Sequence, residues 1–420
     1  MKTALPLVIT LIPALLATVG AMAEAKPFPG VIPHEKPDQP LSAAMHRVYD
    51  QWNPHEDRGN ELYSNFKYTP LKGFSNEPNI SRRDPTKVIK VDGVYHVWYT
   101  SRRTEHAPVG LKKATDTIPA TDWDLADIWH ATSTDGITWE EQGLAVPRPP
   151  KPEQGFRSIC TPGVLVWKNK YYLYFQAYSP MVGGQAYCPV RVAYADSPYG
   201  PWTHHPEPVL LPGPEGSWNN IKINDPCPVV LGDKILIYYK GAPIERGHEM
   251  VLRMQGVSMA TDPLGPFEPS PLNPVINSGH ETCMFPWEDG IAALVAIDGP
   301  EKNTIQWSPD GENFEIKSII QVPPIAPGPF CPDAFAGNGD GRGITWGLCH
   351  INPDHGSKKP SILARFDCDL SQDVDWQLLK KNNLRFNLET YFQKGVGLSP
   401  NMKRLILREQ EKVDKETILN

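Results

Sequence analysis

The chain lacks the short motifs that most directly announce a chemistry. It has no H-E-x-x-H metal pair, no G-x-S-x-G nucleophile turn and no C-x-x-C pair, so zincin, serine-hydrolase and structural zinc or iron–sulfur sites are not indicated. Basic charge is not in excess, since 41 Lys and Arg face 48 Asp and Glu for a formal net charge of -7. Tracking nucleic-acid phosphates needs the opposite balance, and no nucleic-acid partner is expected. Seven cysteines in 420 residues are too few for a disulfide scaffold, and the odd number leaves at least one thiol unpaired. Most of them read as small buried hydrophobes, with room for one or two bridges.

Stretches free of helix breakers are also scarce, because the chain holds 45 Pro and 33 Gly. Proline fits turns and strand starts but damages helix interiors and central ladders, so the composition favours short strands joined by turns. The first residues read as a secretory leader: Lys2 gives a basic start, residues 5–19 an apolar stretch, and Ala21-Met22-Ala23 a cleavage pattern. Residues 1–23 are therefore set aside as a signal peptide. The segment is short for a membrane span and broken by Pro6 and Pro13, and no later run reaches the roughly 20 apolar residues a span needs. A periplasmic or secreted protein, free of the membrane once the leader is removed, is expected.

Residues 24–75 read as an N-terminal helical segment, with Ser42 as a cap and Met45, Val48, Tyr49 and Trp52 on one face. From about residue 76 to 385 a phrase recurs: a small or acidic residue beside proline, an apolar run, a polar turn, and a second run rich in Tyr and Trp. Five versions begin at Arg82, Cys160, Asn224, Thr282 and Cys331. Turn chemistry follows at matching places, Asp135-Gly136, Pro198-Tyr199-Gly200, Pro263-Leu264-Gly265 and Asp310-Gly311. Units of three or four short strands cannot bury both faces alone, so the expected fold is all-β, a five-bladed β-propeller. Residues 386–420 read as a tail with a surface helix.

In a propeller the openings of the inner strands converge on the axis although they are far apart in sequence. Here those openings hold Asp84, Thr161, Asp225, the stretch from His280 to Glu288, and Asp333. Grouped carboxylates in a funnel suit glycoside hydrolysis, in which one carboxylate activates water and a group of raised pKa protonates the departing oxygen. Any single Asp-Pro also serves as an ordinary turn or strand start. Gln176 ends the inner hairpin of the second blade and either contacts a ligand or bonds backbone. Trp129 offers a face for stacking on a sugar ring, although most of the tryptophans suit blade packing.

The S-x-A-x-x-R stretch at Ser42, Ala44 and Arg47, followed by RRDPTKVI, INDPCPVV and GHETCMFPWEDG, resembles glycoside hydrolase family 117 over nearly the whole mature chain. The resemblance implies a five-bladed propeller, a helical segment that takes part in a swapped homodimer, and an exo-acting α-1,3-neoagarooligosaccharide hydrolase of agar degradation. It implies release of 3,6-anhydro-L-galactose from neoagarobiose and related oligosaccharides. Carried over residue by residue, Asp84 resembles the general base, Asp225 the auxiliary carboxylate and His280 the acid, with Glu288 also in the site. Glu288 competes for the acid's role, and Glu281, Glu288 or Asp225 would raise the pKa of His280. Thr161, Gln176 and Trp129 are the binding candidates. No cofactor is required by these residues, and a divalent cation near the carboxylates is compatible with them. Two alternatives stay open: a five-bladed glycosidase acting on arabinose- or xylose-containing or other red-algal glycans, and a non-catalytic sugar-binding propeller. The retained carboxylates favour an enzyme.

Overall fold

In a computed structural model of the protein, residues 34–36, 38, 66–179, 187–215, 217–242, 254–276, 279–297, 301–320, 323–331, 341–352 and 360–371 are described. The leader, the S-x-A-x-x-R helix and the C-terminal helix expected from the sequence lie outside them. The chain divides into two units, Met1–Asn53 and Pro54–Asn420, and every strand belongs to the second.

Among the described residues all regular elements are strands, arranged in five sheets. The earliest strand, β1 (Lys67–Pro70), belongs to the last sheet. Blade one holds β2 (Ile80–Arg83), β3 (Ile89–Val91), β4 (Val94–Arg103), β5 (Ala126–Ser133) and β6 (Trp139–Val146), with β2 and β3 both paired to β4. Blade two holds β7 (Ser158–Trp167), β8 (Lys170–Tyr178), β9 (Val190–Ala195) and β10 (Thr203–His204). Blade three is β11 (Lys222–Leu231), β12 (Lys234–Ala242), β13 (Gln255–Ala260) and β14 (Glu268–Pro269). Blade four is β15 (Cys283–Trp287), β16 (Gly290–Val295), β17 (Thr304–Ser308) and β18 (Glu315–Ile319). Blade five takes β19 (Ile325–Pro329), β20 (Gly343–Ile351) and β21 (Ile362–Ser371) and is completed by β1, with Lys67 opposite Asp367 and Pro70 opposite Ala364. The ring is thus closed by pairing the two ends of the propeller chain.

The core confirms that no blade is self-sufficient. Five apolar clusters each lie between two neighbouring blades: Trp98 and Ile128 with Leu173 and Phe175, Tyr174 with Ile237, Tyr238 with Ile291, Phe285 with Phe366, and Tyr99 with Leu348. Strands buried on both faces explain the near-continuous apolar runs in β8, β12 and β16. Hairpins inside the blades are set by left-handed residues, as at Asp92-Gly93 and Lys168-Asn169, where positive φ at both central positions matches the twist of the flanking strands. The expected outer turns are present at Gly136, Gly200, Gly265 and Gly311, all at positive φ. In blades one and four they are the same device: Asp135 Oδ1 accepts from the Ile137 and Thr138 amides, and Asp310 Oδ1 from those of Glu312 and Asn313.

Two boundaries differ from the sequence expectation. The propeller starts before residue 76, because β1 lies inside the stretch read as helical. The inner strand of blade five is β19, ahead of the phrase at Cys331, and Asp333 lies outside the described residues. Ile-Ala-Pro-Gly-Pro carries two prolines and a glycine in five positions and has no strand-like pattern of its own, so only its place in the ring makes it a strand.

Candidate active site

The inner strands share an interruption. Pairing to the second strand slips between Cys160 and Gly163, between Asn224 and Cys227, and between Ile325 and Gly328, while in blade one the gap from Arg83 to Ile89 separates β2 from β3. At each break stands one left-handed residue: Asp84 (φ 49°), Thr161 (51°), Asp225 (54°) and Ala326 (48°), with Glu281 (55°) just before β15 in blade four. Such a conformation costs a non-glycine residue roughly 1–2 kcal/mol. Its recurrence in every blade marks the axis as the place where strain is concentrated. Proline follows four of the five and fixes the next φ. All five residues line one axial cavity of about 50 Å³.

Around this ring the charges are paired. Arg83 donates from Nε to both oxygens of Asp84, at 3.1 and 2.9 Å, and from Nη2 to Glu281 Oε1 at 3.1 Å. Burial opposes the Arg83 charge, but Asp84 and Glu281 outweigh it and hold the guanidinium above its usual pKa. Burial likewise opposes ionisation of Asp84, yet Arg83 and His350, whose Nδ1 lies 3.3 Å from Asp84 Oδ1, keep it below the carboxylate range. Asp225 is lowered too, against burial, by Lys240 at 2.9 Å and by His280. Its Oδ2 also accepts the Glu281 amide at 3.2 Å. Asp84 and Asp225 are therefore fixed anions. Glu281 differs, because its Oε2 is buried without a hydrogen-bond partner. A buried carboxylate oxygen left unpaired costs free energy, and it is suited to accept from a ligand hydroxyl.

Not all the residues named from sequence converge here. Asp84, Thr161 and Asp225 do, and the Thr161 hydroxyl lies 3.4 Å from Asp84 Oδ2. Gln176 supports the ring, accepting the Asp225 amide at 2.9 Å and donating to Cys160 Sγ at 3.1 Å. His280 sits at the rim, half-buried, with Nε2 3.8 Å from Glu281 Oε1. Glu288 is not brought to the ring. It is exposed on the turn joining β15 to β16, seven residues past Glu281, which at about 3.3 Å per residue is on the order of 20 Å away. Trp129 lies in β5 under the Arg103 guanidinium, 3.4 Å from its ring centroid, as part of blade packing. Sequence reasoning missed Arg83, Lys240, His350 and the role of Glu281. One signal was present: N-D-P-C at Asn224 and H-E-T-C at His280 superimpose Glu281 on Asp225.

A long loop, residues 104–125, also reaches the ring. Asp122 accepts from Ser81 and Ser361 at 2.7 Å and from Arg102 at 3.2 Å, and lies 4.0 Å from Arg83. The Trp123 ring stacks on Arg83 at 4.9 Å. Asp124 is locked to the buried Arg157, which also donates to the Thr115 and Ile118 carbonyls. Asp84, Glu281 and His350 have oxygen or nitrogen atoms within 4.8 Å of one another, a spacing that suits a metal ion. Arg83 supplies one positive charge to these two carboxylates, and a divalent cation there would share them with its guanidinium.

The chain matches no protein-family model and no curated protein. Among solved structures it is similar to Zg3597, a family 117 glycoside hydrolase from the marine bacterium Zobellia galactanivorans, with 50% identity and a TM-score of 0.70 over 79% of this chain and 98% of that one. More distant likenesses, at 14% identity, are a GH43 β-xylosidase/α-arabinofuranosidase from a compost metagenome (TM-score 0.47, covering 71% and 94%) and a GH43_1 enzyme from Xanthomonas citri (TM-score 0.44, covering 71% and 90%).

Proposed function

The chain belongs to glycoside hydrolase family 117, and from that premise we propose that it is an exo-acting, inverting hydrolase. Its substrates would be α-1,3-linked neoagaro-oligosaccharides, from which it releases 3,6-anhydro-L-galactose. The observation that carries this reading is the ring itself: three buried carboxylates from blades one, three and four meet at the axis, two held ionised and one with an unpartnered oxygen. In the proposed mechanism Asp84 takes the proton of the attacking water, and its fixed negative charge stabilises the cationic character that develops on the sugar. His280 gives a proton to the departing oxygen. Asp225 lies beside it and is itself held ionised, in part by His280. Glu281, in place of Glu288, orients the sugar through Oε2, and Arg83 holds Asp84 and Glu281 in register. Export and homodimer formation through the S-x-A-x-x-R segment belong to the same proposal, on the sequence grounds given above.

The test is incubation of purified protein with neoagarobiose, following products by thin-layer chromatography and early-time proton NMR. Galactose and 3,6-anhydro-L-galactose, the latter first appearing as the inverted anomer, are the expected result. A retained anomer would overturn the mechanism, and absence of product from folded protein would overturn the substrate.

A further inference from the structure

Two residues beyond each left-handed position the inner strands have stepped one level down the axis, where they place Thr86, Gly163, Cys227, Cys283 and Gly328. Glycine is required in blades two and five, because a Cβ on Gly163 would collide with the Pro226 carbonyl and one on Gly328 with that of Thr86. Blades three and four have room at this level, and each fills it with a cysteine. Cys227 and Cys283 line the same axial cavity as the ring above them.

The two residues are neighbours across the blade boundary: Cys227 Sγ accepts the Met284 amide at 3.4 Å, and the Cys283 thiol is shared between the Met284 carbonyl, at 3.7 Å, and Cys227. Lys87 lines the same cavity, its Nζ donating to the Pro228 carbonyl at 2.8 Å. The Cys283 hydrogen bond, outweighing burial, and the Lys87 charge draw Cys227 down to about 6. Burial instead pushes the Cys188 thiol up to about 12. Cys227 has the marks of a nucleophilic thiolate, with a second thiol already placed against its sulfur.

We propose that Cys227 and Cys283 form a peroxide-reactive dithiol that closes to a disulfide between blades three and four. The Cys227 thiolate attacks one oxygen of hydrogen peroxide, the O–O bond breaks, and hydroxide leaves to take a proton as water. The resulting sulfenic acid is attacked at sulfur by Cys283, the S–O bond breaks and a second water leaves. In sum, two thiols and one peroxide give one disulfide and two waters. The proposal is independent of the substrate, so it is tested without an activity assay.

Folded protein is treated with hydrogen peroxide, its remaining thiols are alkylated in denaturant, and non-reducing peptides are mapped by mass spectrometry. The expected product has lost two hydrogens, carries one Cys227–Cys283 cross-link and retains five of the seven thiols. Cys283→Ser should instead trap Cys227 as a sulfenic acid captured by a 1,3-dione probe. Seven intact thiols after peroxide, or a bridge from Cys283 to Cys331, would overturn the proposal. If the serine variant does not fold, the wild-type map decides alone.

Discussion

The ring chemistry rests on a few side chains whose individual removal is informative. Asp84→Asn keeps volume but removes the charge, and turnover is expected to fall at least about a hundredfold, with a lowered melting temperature as well because buried Arg83 loses an ionic partner. Wild-type kcat in that variant would remove Asp84 from the mechanism. Glu281 and Glu288 make a sharper pair. Loss of a charged hydrogen bond of about 1.5–3 kcal/mol predicts that Glu281→Gln lowers kcat/KM roughly 10- to 100-fold, whereas Glu288→Gln, on an exposed turn, should be indistinguishable from wild type. Side-by-side kinetics of the two variants check this. The X-Pro cue that exposes Asp84, Thr161 and Asp225 in the sequence is missing at Glu281, where Thr282 follows, and Glu288 was named instead through the family resemblance. Arg83 and Lys240 were illegible for another reason. Lys240 meets Asp225 across the neighbouring strand and Arg83 ties Asp84, next to it in sequence, to Glu281 from another blade, links that no local spacing records.

Among the elements, blade one carries both a stability device and the site's longest described support. His96 Nδ1 and His130 Nε2 lie 3.0 Å apart, with the His130 ring stacked on Trp98 at 4.9 Å. Burial lowers His96 to about 4, slightly offset by Asp92, and lowers His130 to about 3 with help from His96. Both rings are thus neutral when folded, while the unfolded chain protonates near pH 6.5. Their contribution is complete above that value and is lost as pH falls towards 3, a change on the order of several kcal/mol in all. Urea midpoints between pH 7 and 4 should fall in wild type and flatten in His130→Gln. The 104–125 loop is anchored by Asp122 and by the buried pair of Asp124 with Arg157. Arg157→Ala leaves Asp124 unpaired at zero exposure, and a cost of about 3–5 kcal/mol is expected in denaturant unfolding. The hairpin phrases were legible because apolar runs, turn residues and tryptophans repeat in order. This loop has no such period and was not.

For the whole molecule the decisive feature is closure by β1. The pairing of β1 with β21 puts Phe66 and Tyr68 into the cluster between blades four and five, with Phe66 fully buried. Deletion of residues 24–60 is expected to leave a cooperatively unfolding propeller, whereas extending the deletion through Pro70 should abolish the sharp thermal transition, as read by calorimetry. The blade count was legible from the repeats. The closing partner was not, because four residues read alone, Lys-Tyr-Thr-Pro, carry too little pattern to reveal a strand whose mate lies almost 300 positions away.

One of the five left-handed positions bears only a methyl group. Ala326 holds the same backbone shape as its four polar counterparts, so the hub resembles a wheel with a blank spoke. The backbone there is bent as at the four polar positions, and Ala326 lines the same cavity. The polar groups of the hub are therefore carried by four of the five left-handed positions, and the methyl side of the cavity is where an apolar edge of a ligand would lie.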